Sequence, residues 1–232
     1  MPECAESLIT IPEFSALKPI FHGFGQKEWT EDCFSRIDEL KNLQPVVLKQ
    51  IHSDTIHTIE GVPEKKLEGD ALITCVPGLV LVVRTADCLP VLLTEKDGKA
   101  VAAVHCGWRG TEARILEKAV QKLLDKSGCR PESLLAALGP CIGPECYEVG
   151  EEVLQSFLDS GLPRESFQPA SENPGKYILD LKGANTLQLK NAGLRTNQIF
   201  QADGCTHCLS SLLSYRRNRD EHSRLLNFIA IQ

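Results

Sequence analysis

The sequence has no long hydrophobic run. Its longest apolar stretch, residues 78–83, is the size of a strand and far shorter than the ~20 residues that cross a membrane. The first ten residues carry acids where a secretory signal has bases, and no long apolar core follows them. We therefore expect a soluble, cytoplasmic protein with no membrane partner.

An excess of positive charge is also missing. The chain has 25 Lys and Arg against 31 Asp and Glu, a formal net charge of −6. Nucleic-acid polymers bind to clustered Lys and Arg, so such a polymer is not expected as a partner. A small anion remains possible as a substrate, because a local basic pocket can form on an acidic protein.

Histidine and methionine are scarce, with six His and one Met. A multicopper cluster needs many imidazoles, and a mononuclear copper site usually adds a methionine thioether. The composition therefore favours zinc over copper. Cysteine, by contrast, occurs ten times. In a chain of this size without a signal peptide, we expect cysteines to be thiols or metal ligands.

The pattern of apolar residues predicts a mixed α/β fold. A chain of 232 residues, 42% of them hydrophobic, can bury the core of a single domain spanning 1–232. Short apolar runs predict strands at 45–51, 55–60, 71–75, 79–85, 90–94, 100–105 and 134–138, with a hairpin at Asp97-Gly98. Amphipathic periodicity predicts helices at 30–43, from Thr111 to 127–128, and near 150–158, 179–192 and 208–216.

Three short segments each place one soft metal ligand beside an apolar strand. They are KQIHSD at 49–54, TADCLP at 85–90 and VHCGWRG at 104–110, which contain His52, Cys88 and His105. Three such ligands with an open fourth position are typical of a catalytic zinc ion. Cys106 and His57 are the other nearby candidates for metal ligands, and we leave both out of the predicted site. Cys106 follows His105 in an extended segment, so its side chain should face the opposite side, and His57 could reach the site only through a turn.

The same segments resemble the YfiH/laccase-domain family, which is associated with polyphenol oxidase and with purine nucleoside phosphorylase activity. The resemblance spans residues 44–215 through QIHSD, EGDALIT, RTADCLP, VHCGWRGT, LGPCIGPECYEVG, DLKGANTLQL and CTHCLSSLLSYRRN. It implies layered mixed sheets flanked by helices, with His52, Cys88 and His105 as metal ligands. It also implies phosphorolysis of adenosine, inosine, guanosine and methylthioadenosine, with adenosine deamination as a related activity.

Five residues near the ligands are candidates for further roles. Asp87 precedes Cys88 and is predicted to orient a ligand or carry a proton. Arg109, between two glycines and before a predicted helix, is predicted to hold phosphate as a catalytic group. Arg84 is the second candidate for phosphate. Gln50 shares a strand face with His52 and Cys141 lies in a Gly- and Pro-rich loop, so both are predicted to line the substrate pocket.

Several alternatives remain open at the level of sequence. Cys88 and His105 could act without metal as nucleophile and base of a cysteine hydrolase. The site could hold copper in a polyphenol oxidase, or a structural metal in a protein that is not an enzyme. Cys205 and Cys208 could form a structural zinc site with Cys141 and Cys146.

The sequence departs from the family pattern near its start. The segment from His22 to Trp29 lacks the Arg and the Gly-Gly pair that usually follow His-Gly, a departure that puts the family's substrate preference in doubt for this chain. The oligomeric state is not indicated by any of these patterns.

Overall fold

The computed structural model describes residues 4–232, which form fourteen strands and seven α-helices. The strands are β1 Leu8–Ile9, β2 Ile20–Gly25, β3 Gln44–Val47, β4 Ile56–Thr58, β5 Ala71–Thr74, β6 Leu79–Thr85, β7 Leu89–Glu95, β8 Val101–Cys106, β9 Leu134–Leu138, β10 Glu148–Gly150, β11 Phe167–Pro169, β12 Lys176–Leu179, β13 Ile199–Gln201 and β14 Leu225–Ile231. The helices are α1 Pro12–Ser15, α2 Cys33–Arg36, α3 Trp108–Glu112, α4 Ile115–Ser127, α5 Glu151–Asp159, α6 Leu181–Asn191 and α7 Tyr215–Asn218. The predicted mixed α/β class is confirmed.

The strands form two large mixed sheets and one small one. The five-stranded sheet has the order β1-β2-β14-β6-β3, and the six-stranded sheet has the order β13-β9-β7-β8-β5-β4. Most neighbours are antiparallel, whereas the β3–β6, β4–β5 and β13–β9 pairs are parallel. The small sheet, β10-β12-β11, is antiparallel. Parallel pairing is therefore confined to the edges of the two large sheets.

The two large sheets pack face to face, and alternation along each strand shows how. In β6, Leu81 and Val83 enter a core shared with Leu92 of β7, while Val80 and Val82 face the opposite side. That opposite side is covered by an aromatic cluster containing Trp29, Phe34 and Phe228. Since both faces of β6 and β7 are covered, these strands read as continuous apolar runs rather than alternating ones.

Helices cover the other face of the six-stranded sheet. On α4, Ile115, Ala119 and Leu123 recur at helical spacing, are fully buried and join the core behind β7 and β8. The helix ends at Gly128, whose φ of +67° suits a left-handed C-terminal residue and whose N–H donates to the Leu124 carbonyl at 2.8 Å. The predicted end of this helix is confirmed.

The predicted helix at 30–43 is wrong beyond one short turn. Only α2, four residues long, forms there, and Ile37 is already extended at φ −92° and ψ 124°. The apolar residues that suggested a helix face still pack on the outer face of the five-stranded sheet: Phe34, Ile37 and Leu40. They reach it through successive turns, so packing against the sheet overrides the helical spacing.

The predicted helix at 208–216 is also wrong, because the chain turns there and α7 begins only at Tyr215. The Arg217 guanidinium donates hydrogen bonds to the carbonyls of Thr206, His207, Leu209 and Leu212, at 2.6–3.1 Å. One side chain thus satisfies carbonyl groups that a helix would otherwise satisfy with its own backbone.

The expectation that every cysteine stays a thiol or a ligand is wrong for two of them. Cys4 and Cys33 form a disulfide that joins the start of the described chain to α2, with Cα atoms 5.7 Å apart. The other eight cysteines are free. Among residues 4–232, no helix has the length and apolar character needed to cross a membrane.

Candidate functional site

Three elements distant in sequence bring His52, Cys88 and His105 together. His52 lies in the loop after β3 with a left-handed φ of 57°, Cys88 precedes β7, and His105 lies near the end of β8. One donor atom from each lies within 4.8 Å of the other two. Since β7 and β8 are antiparallel neighbours that pair Pro90 with His105, the sheet register places Cys88 near His105.

Asp70 holds both histidines in place. This fully buried carboxylate accepts the His52 backbone N–H at 3.0 Å and lies 2.8 Å from Nδ1 of His105. It also accepts the backbone N–H of Ser53 at 2.6 Å and its hydroxyl at 2.8 Å. Because the carboxylate bonds Nδ1 of His105, the other ring nitrogen, Nε2, is available to bind a metal ion. Such carboxylate–histidine pairs fix the ring orientation of metal ligands.

The sequence analysis missed Asp70 and assigned the orienting role to Asp87. Asp87 lies beside Cys88, but its carboxylate accepts the Thr206 hydroxyl and the Arg216 backbone N–H, each at 2.6 Å. Asp70 precedes β5, which pairs with β8, so the register brings it opposite His105. The sequence did contain a signal for this role: Asp70 directly precedes a buried strand in EGDALIT, one of the segments that carry the resemblance.

The electrostatics of the centre favour a thiolate. Burial raises the pKa of the Cys88 thiol, but His105 and His52 outweigh it and lower that pKa to about 6. Burial lowers the pKa of His105, whereas Cys88 and Asp70 raise it to about 9. Near neutral pH these two side chains by themselves form a thiolate–imidazolium pair, and the thiolate is the form that binds metals.

The donor set fits one soft or borderline metal ion. Two imidazole nitrogens and one thiolate suit zinc or copper and leave a fourth position open. The Gly107 backbone lies against the centre, since an added Cβ would be 3.1 Å from His52 Cδ2 and 3.2 Å from Cys88 Sγ.

A multicopper cluster does not fit the described part of the chain. His57 Nε2 is paired with the Glu68 carbonyl at 2.8 Å, and His22 Nε2 accepts the Ile11 N–H at 2.8 Å. Between residues 4 and 232, the one further cluster of three potential ligands consists of cysteines alone. The imidazoles that several copper ions need are therefore not gathered at this centre.

The three ligands lie on the wall of a cavity of about 690 Å³. The same wall contains aromatic and charged side chains: Trp108, Tyr147, Tyr215, Lys49, Arg84, Arg216, Arg219, His222, Arg224, Asp87 and Glu221. Basic groups outnumber acidic ones here although the whole chain is acidic. The cavity thus combines flat apolar surfaces with a local positive charge.

Two of the predicted pocket residues lie in the cavity wall and touch each other. The Gln50 amide donates to the Arg84 carbonyl at 2.8 Å and accepts the Arg84 N–H at 2.7 Å, so it joins the loop before His52 to β6. Arg84 Nε is buried and has no hydrogen-bond partner. A buried donor without a partner is rare in folded proteins, and here it belongs to a residue of the cavity wall.

The structure does not bring the other two predicted residues to the cavity. Arg109 is exposed and absent from the wall, with its guanidinium carbon 4.2 Å from the centroid of the Trp108 ring. Trp108, the first residue of α3, occupies the cavity side instead. Cys141 is buried in the core and its neighbour Ile142 lines the cavity. Neither residue is among those that line the cavity.

Comparison with known proteins shows the family. A family model described as multi-copper polyphenol oxidoreductase laccase matches residues 26–232. The chain belongs to this family. The purine nucleoside phosphorylase YfiH of Shigella flexneri is 35% identical over 224 residues, which cover 95% of this chain and 88% of the relative. A protein named adenosine deaminase RL5, from an unknown prokaryotic organism, is 36% identical over 182 residues, covering 74% of this chain and 69% of that protein.

The fold is shared as well. The crystal structure of the YfiH protein of Bacillus licheniformis superposes with a TM-score of 0.86 at 26% identity, and the match covers 97% of each chain. The predicted YfiH/laccase-domain relationship is therefore confirmed. The family model carries copper in its description, whereas the ligands gathered in this chain fit a single ion.

Proposed function

We infer that this protein is a zinc-dependent purine nucleoside phosphorylase. Its substrates would be phosphate and adenosine, inosine, guanosine or methylthioadenosine, and adenosine deamination would be a side activity. The observation that carries the proposal is the His52–Cys88–His105 centre on the wall of a cavity that also offers aromatic rings and more basic than acidic groups. The names of the relatives, phosphorylase and adenosine deaminase, support the same substrate class.

Aromatic side chains support a purine as the bound base. Trp108, Tyr147 and Tyr215 line the cavity, and flat rings of this kind stack on nucleobases. The Arg216 guanidinium lies 5.4 Å from the centroid of the Tyr147 ring. The backbone N–H of Arg216 donates a hydrogen bond to the Asp87 carboxylate, so Asp87 positions this part of the cavity wall.

Arg84 is the best-placed group for phosphate. In phosphorolysis a phosphate oxygen bonds to ribose C1′ as the C1′–N bond breaks, and the purine leaves with the electron pair and takes a proton. The anionic phosphate needs fixed donors, and Arg84 offers a buried Nε without a partner. Arg216, Arg219 and Arg224 line the same cavity and add positive charge. The phosphate role that the sequence suggested for Arg109 therefore passes to Arg84.

His52, Cys88 and His105 would hold the zinc ion. When bound, the ion would supply a Lewis acid at the cavity wall. Asp70 bonds Nδ1 of His105 and the backbone N–H of His52, so it would orient these two ligands toward the ion.

A second candidate function rests on the same residues without metal. Cys88, His105 and Asp70 form a chain of thiol, imidazole and carboxylate, with His105 Nδ1 2.8 Å from Asp70. This order of groups is the one that activates a nucleophilic cysteine in hydrolases. Metal analysis separates the two candidates, because a hydrolase of this type works with the site empty.

The deciding experiment is release of free base from the four nucleosides, with and without phosphate. We expect base release to require both phosphate and zinc, to consume no oxygen, and to be lost in Cys88→Ser but not in the control Cys75→Ser. Adenosine should also give inosine without phosphate. Base release that persists without zinc and without phosphate would favour the hydrolase. Copper-dependent oxygen uptake with a phenolic substrate would restore the oxidase.

Arg84 and Arg109 form a matched pair for the phosphate role. Arg84→Lys keeps the charge but removes the planar fork, so we expect kcat/KM for phosphate to fall by at least about tenfold, or about 1.4 kcal/mol. Arg109→Lys should leave it unchanged, because Arg109 lies outside the cavity wall. Equal effects of both changes, or an effect of Arg109→Lys alone, would remove Arg84 from this role.

A further inference from the structure

A second group of soft donors lies outside the cavity wall. Cys146 is in the loop between β9 and β10, and Cys205 and Cys208 belong to the CTHC turn after β13. One sulfur from each lies within 4.8 Å of the other two, and Cys146 Sγ is 3.4 Å from Cys208 Sγ. None of the three lines the cavity. This cluster is therefore separate from the His52–Cys88–His105 centre.

Hydrogen bonds of the protein itself hold the backbone around the cluster. The Gly143 N–H donates to Cys205 Sγ at 3.1 Å, and an added Cβ on Gly143 would be only 3.3 Å from that sulfur. Within the turn, the N–H groups of Cys208 and Leu209 both donate to the Cys205 carbonyl, at 3.2 and 3.0 Å. An N–H aimed at a sulfur favours its thiolate form, which is the form that coordinates metal.

The two segments are also joined directly. Cys141 and Cys205 form an isolated parallel bridge, and the Thr206 N–H donates to the Cys141 carbonyl at 3.0 Å. Cys141, which the sequence offered as a partner of this set, does not belong to the three-sulfur group. Its contribution is the backbone bridge that joins its segment to the CTHC turn at Cys205.

The spacing of the sulfurs matches that of thiolates on one metal ion. Zinc–sulfur bonds of about 2.3 Å at tetrahedral angles place neighbouring sulfurs about 3.8 Å apart. Here the Cys146 and Cys208 sulfurs are 3.4 Å apart, and all three sulfurs lie within 4.8 Å of one another. A group of three sulfurs suits a metal ion, whereas a disulfide uses only two. We propose that Cys146, Cys205 and Cys208 bind one zinc ion, with water in the fourth position on the side where Cys208 is exposed.

This second ion would tie together two segments that build the cavity. Ile142 and Tyr147, on either side of the Gly143–Cys146 turn, line the cavity. Thr206, inside the CTHC turn, donates its hydroxyl to Asp87 beside Cys88. The role of the ion is therefore to hold the wall in place, and zinc removal should lower thermal stability even where the first site has been abolished.

Zinc content per chain tests the proposal independently of activity. Protein prepared without oxygen and with zinc supplied should contain about two zinc ions per chain, and Cys146→Ser, Cys205→Ser and Cys208→Ser about one each. Cys88→Ser should also retain about one, since it removes the other site. Cys75→Ser, a free cysteine outside both groups, should retain about two. Circular dichroism identifies any variant that fails to fold.

Cadmium provides a second readout on folded protein. In Cys88→Ser, Cd²⁺ titration should produce the ultraviolet thiolate-to-metal absorption of three sulfurs, and Cys88→Ser/Cys208→Ser should lose most of it. Unchanged zinc in the Cys146 and Cys208 variants would overturn the proposal. A Cys146–Cys208 disulfide in the oxygen-free, zinc-supplied protein would overturn it as well. Loss of zinc from Cys208→Ser but not from Cys88→Ser would instead overturn the zinc-dependent function and leave this site standing.

Discussion

At the scale of single residues, the centre depends on a carboxylate that is not itself a ligand. Asp70 is fully buried and binds the His105 ring, the His52 backbone and both donors of Ser53. Burial raises the pKa of its carboxyl, but His105 and Ser53 outweigh this and lower it to about 2. Asp70 therefore stays ionised near neutral pH and available to both histidines.

Replacing Asp70 by Asn should weaken metal binding. The amide keeps the size of the side chain but loses the charge that holds Nδ1 of His105, and changes of this kind typically reduce metal affinity by about 10–100-fold. Competition with a zinc chelator measures the affinity. Asp87→Asn is the matched control, because Asp87 bonds Thr206 and Arg216 rather than a ligand. If both variants bind zinc like the wild type, Asp70 does not position the ligands.

His22, distant from the centre, should make stability fall in acid. Burial lowers its pKa to about 4, and its Nε2 accepts the Ile11 N–H, so the folded protein holds it neutral. In the unfolded chain the pKa of His22 is 6.5, so below that pH the unfolded chain takes up a proton that the folded chain does not. Its contribution is complete above pH 6.5 and is lost as the pH falls toward 4, by about 1.4 kcal/mol per pH unit.

Urea unfolding between pH 7 and 4 measures this dependence. His22→Gln retains an acceptor for the Ile11 N–H but cannot be protonated, so its unfolding free energy should fall less steeply with acid than that of the wild type. Equal slopes in the two proteins would mean that His22 does not carry the effect.

At the scale of elements, the junction between β8 and α3 shapes the centre. Gly107 connects them with an ordinary φ of −75°, so alanine is compatible with its backbone. An added Cβ would press on His52 at 3.1 Å and on Cys88 Sγ at 3.2 Å. Any effect of a side chain here therefore acts on the ligands and not through backbone strain.

Gly107→Ala should lower zinc affinity by about tenfold, since a displaced ligand loses coordination geometry. Its thermal midpoint should stay near that of the wild type. Gly61→Ala is the control, because no atom lies within 4 Å of the Cβ it would add. Isothermal titration with zinc distinguishes them. Wild-type affinity in Gly107→Ala would show that the junction tolerates a methyl group.

At the scale of the whole molecule, the six-stranded sheet packs against a different hydrophobic core on each of its two faces. Its strand β7 sends Leu92 into the core shared with the other large sheet, and Val91 and Leu93 into the core beneath the helices. Because one strand serves both cores, losing either core exposes the other. We therefore expect one cooperative unfolding unit across 4–232.

The two tryptophans report on opposite layers and test this. Trp29 is buried in the aromatic cluster on the outer face of the five-stranded sheet, while Trp108 lies at the cavity and packs on the core beneath the helices. Trp108→Phe and Trp29→Phe each leave one fluorescent probe. In each variant, the fluorescence midpoint in denaturant should coincide with the midpoint by circular dichroism. Separate midpoints within one variant would reveal two independent units.

Sequence patterns correctly predicted the features that depend on neighbours in the chain. The apolar run of β6 has the predicted bounds, 79–85, and the Asp97-Gly98 turn joins β7 to β8 with a Gly98 φ of +70°. The spacing of Ile115, Ala119 and Leu123 predicted α4, which its glycine then ends. Each of these signals acts within a few residues, where the period of side-chain burial identifies the element.

Contacts between side chains far apart in the sequence follow from the tertiary structure and could not be predicted from sequence patterns. Asp70 pairs with His105 across 35 residues, and Cys146 approaches Cys208 across 62, because strand register and loop packing set those contacts. Arg109 lies one residue from the cavity-lining Trp108, yet it is exposed and is not among the residues that line the cavity. Spacing along a chain indicates which residues have the right chemistry, whereas side-chain direction and sheet pairing decide whether they share a site.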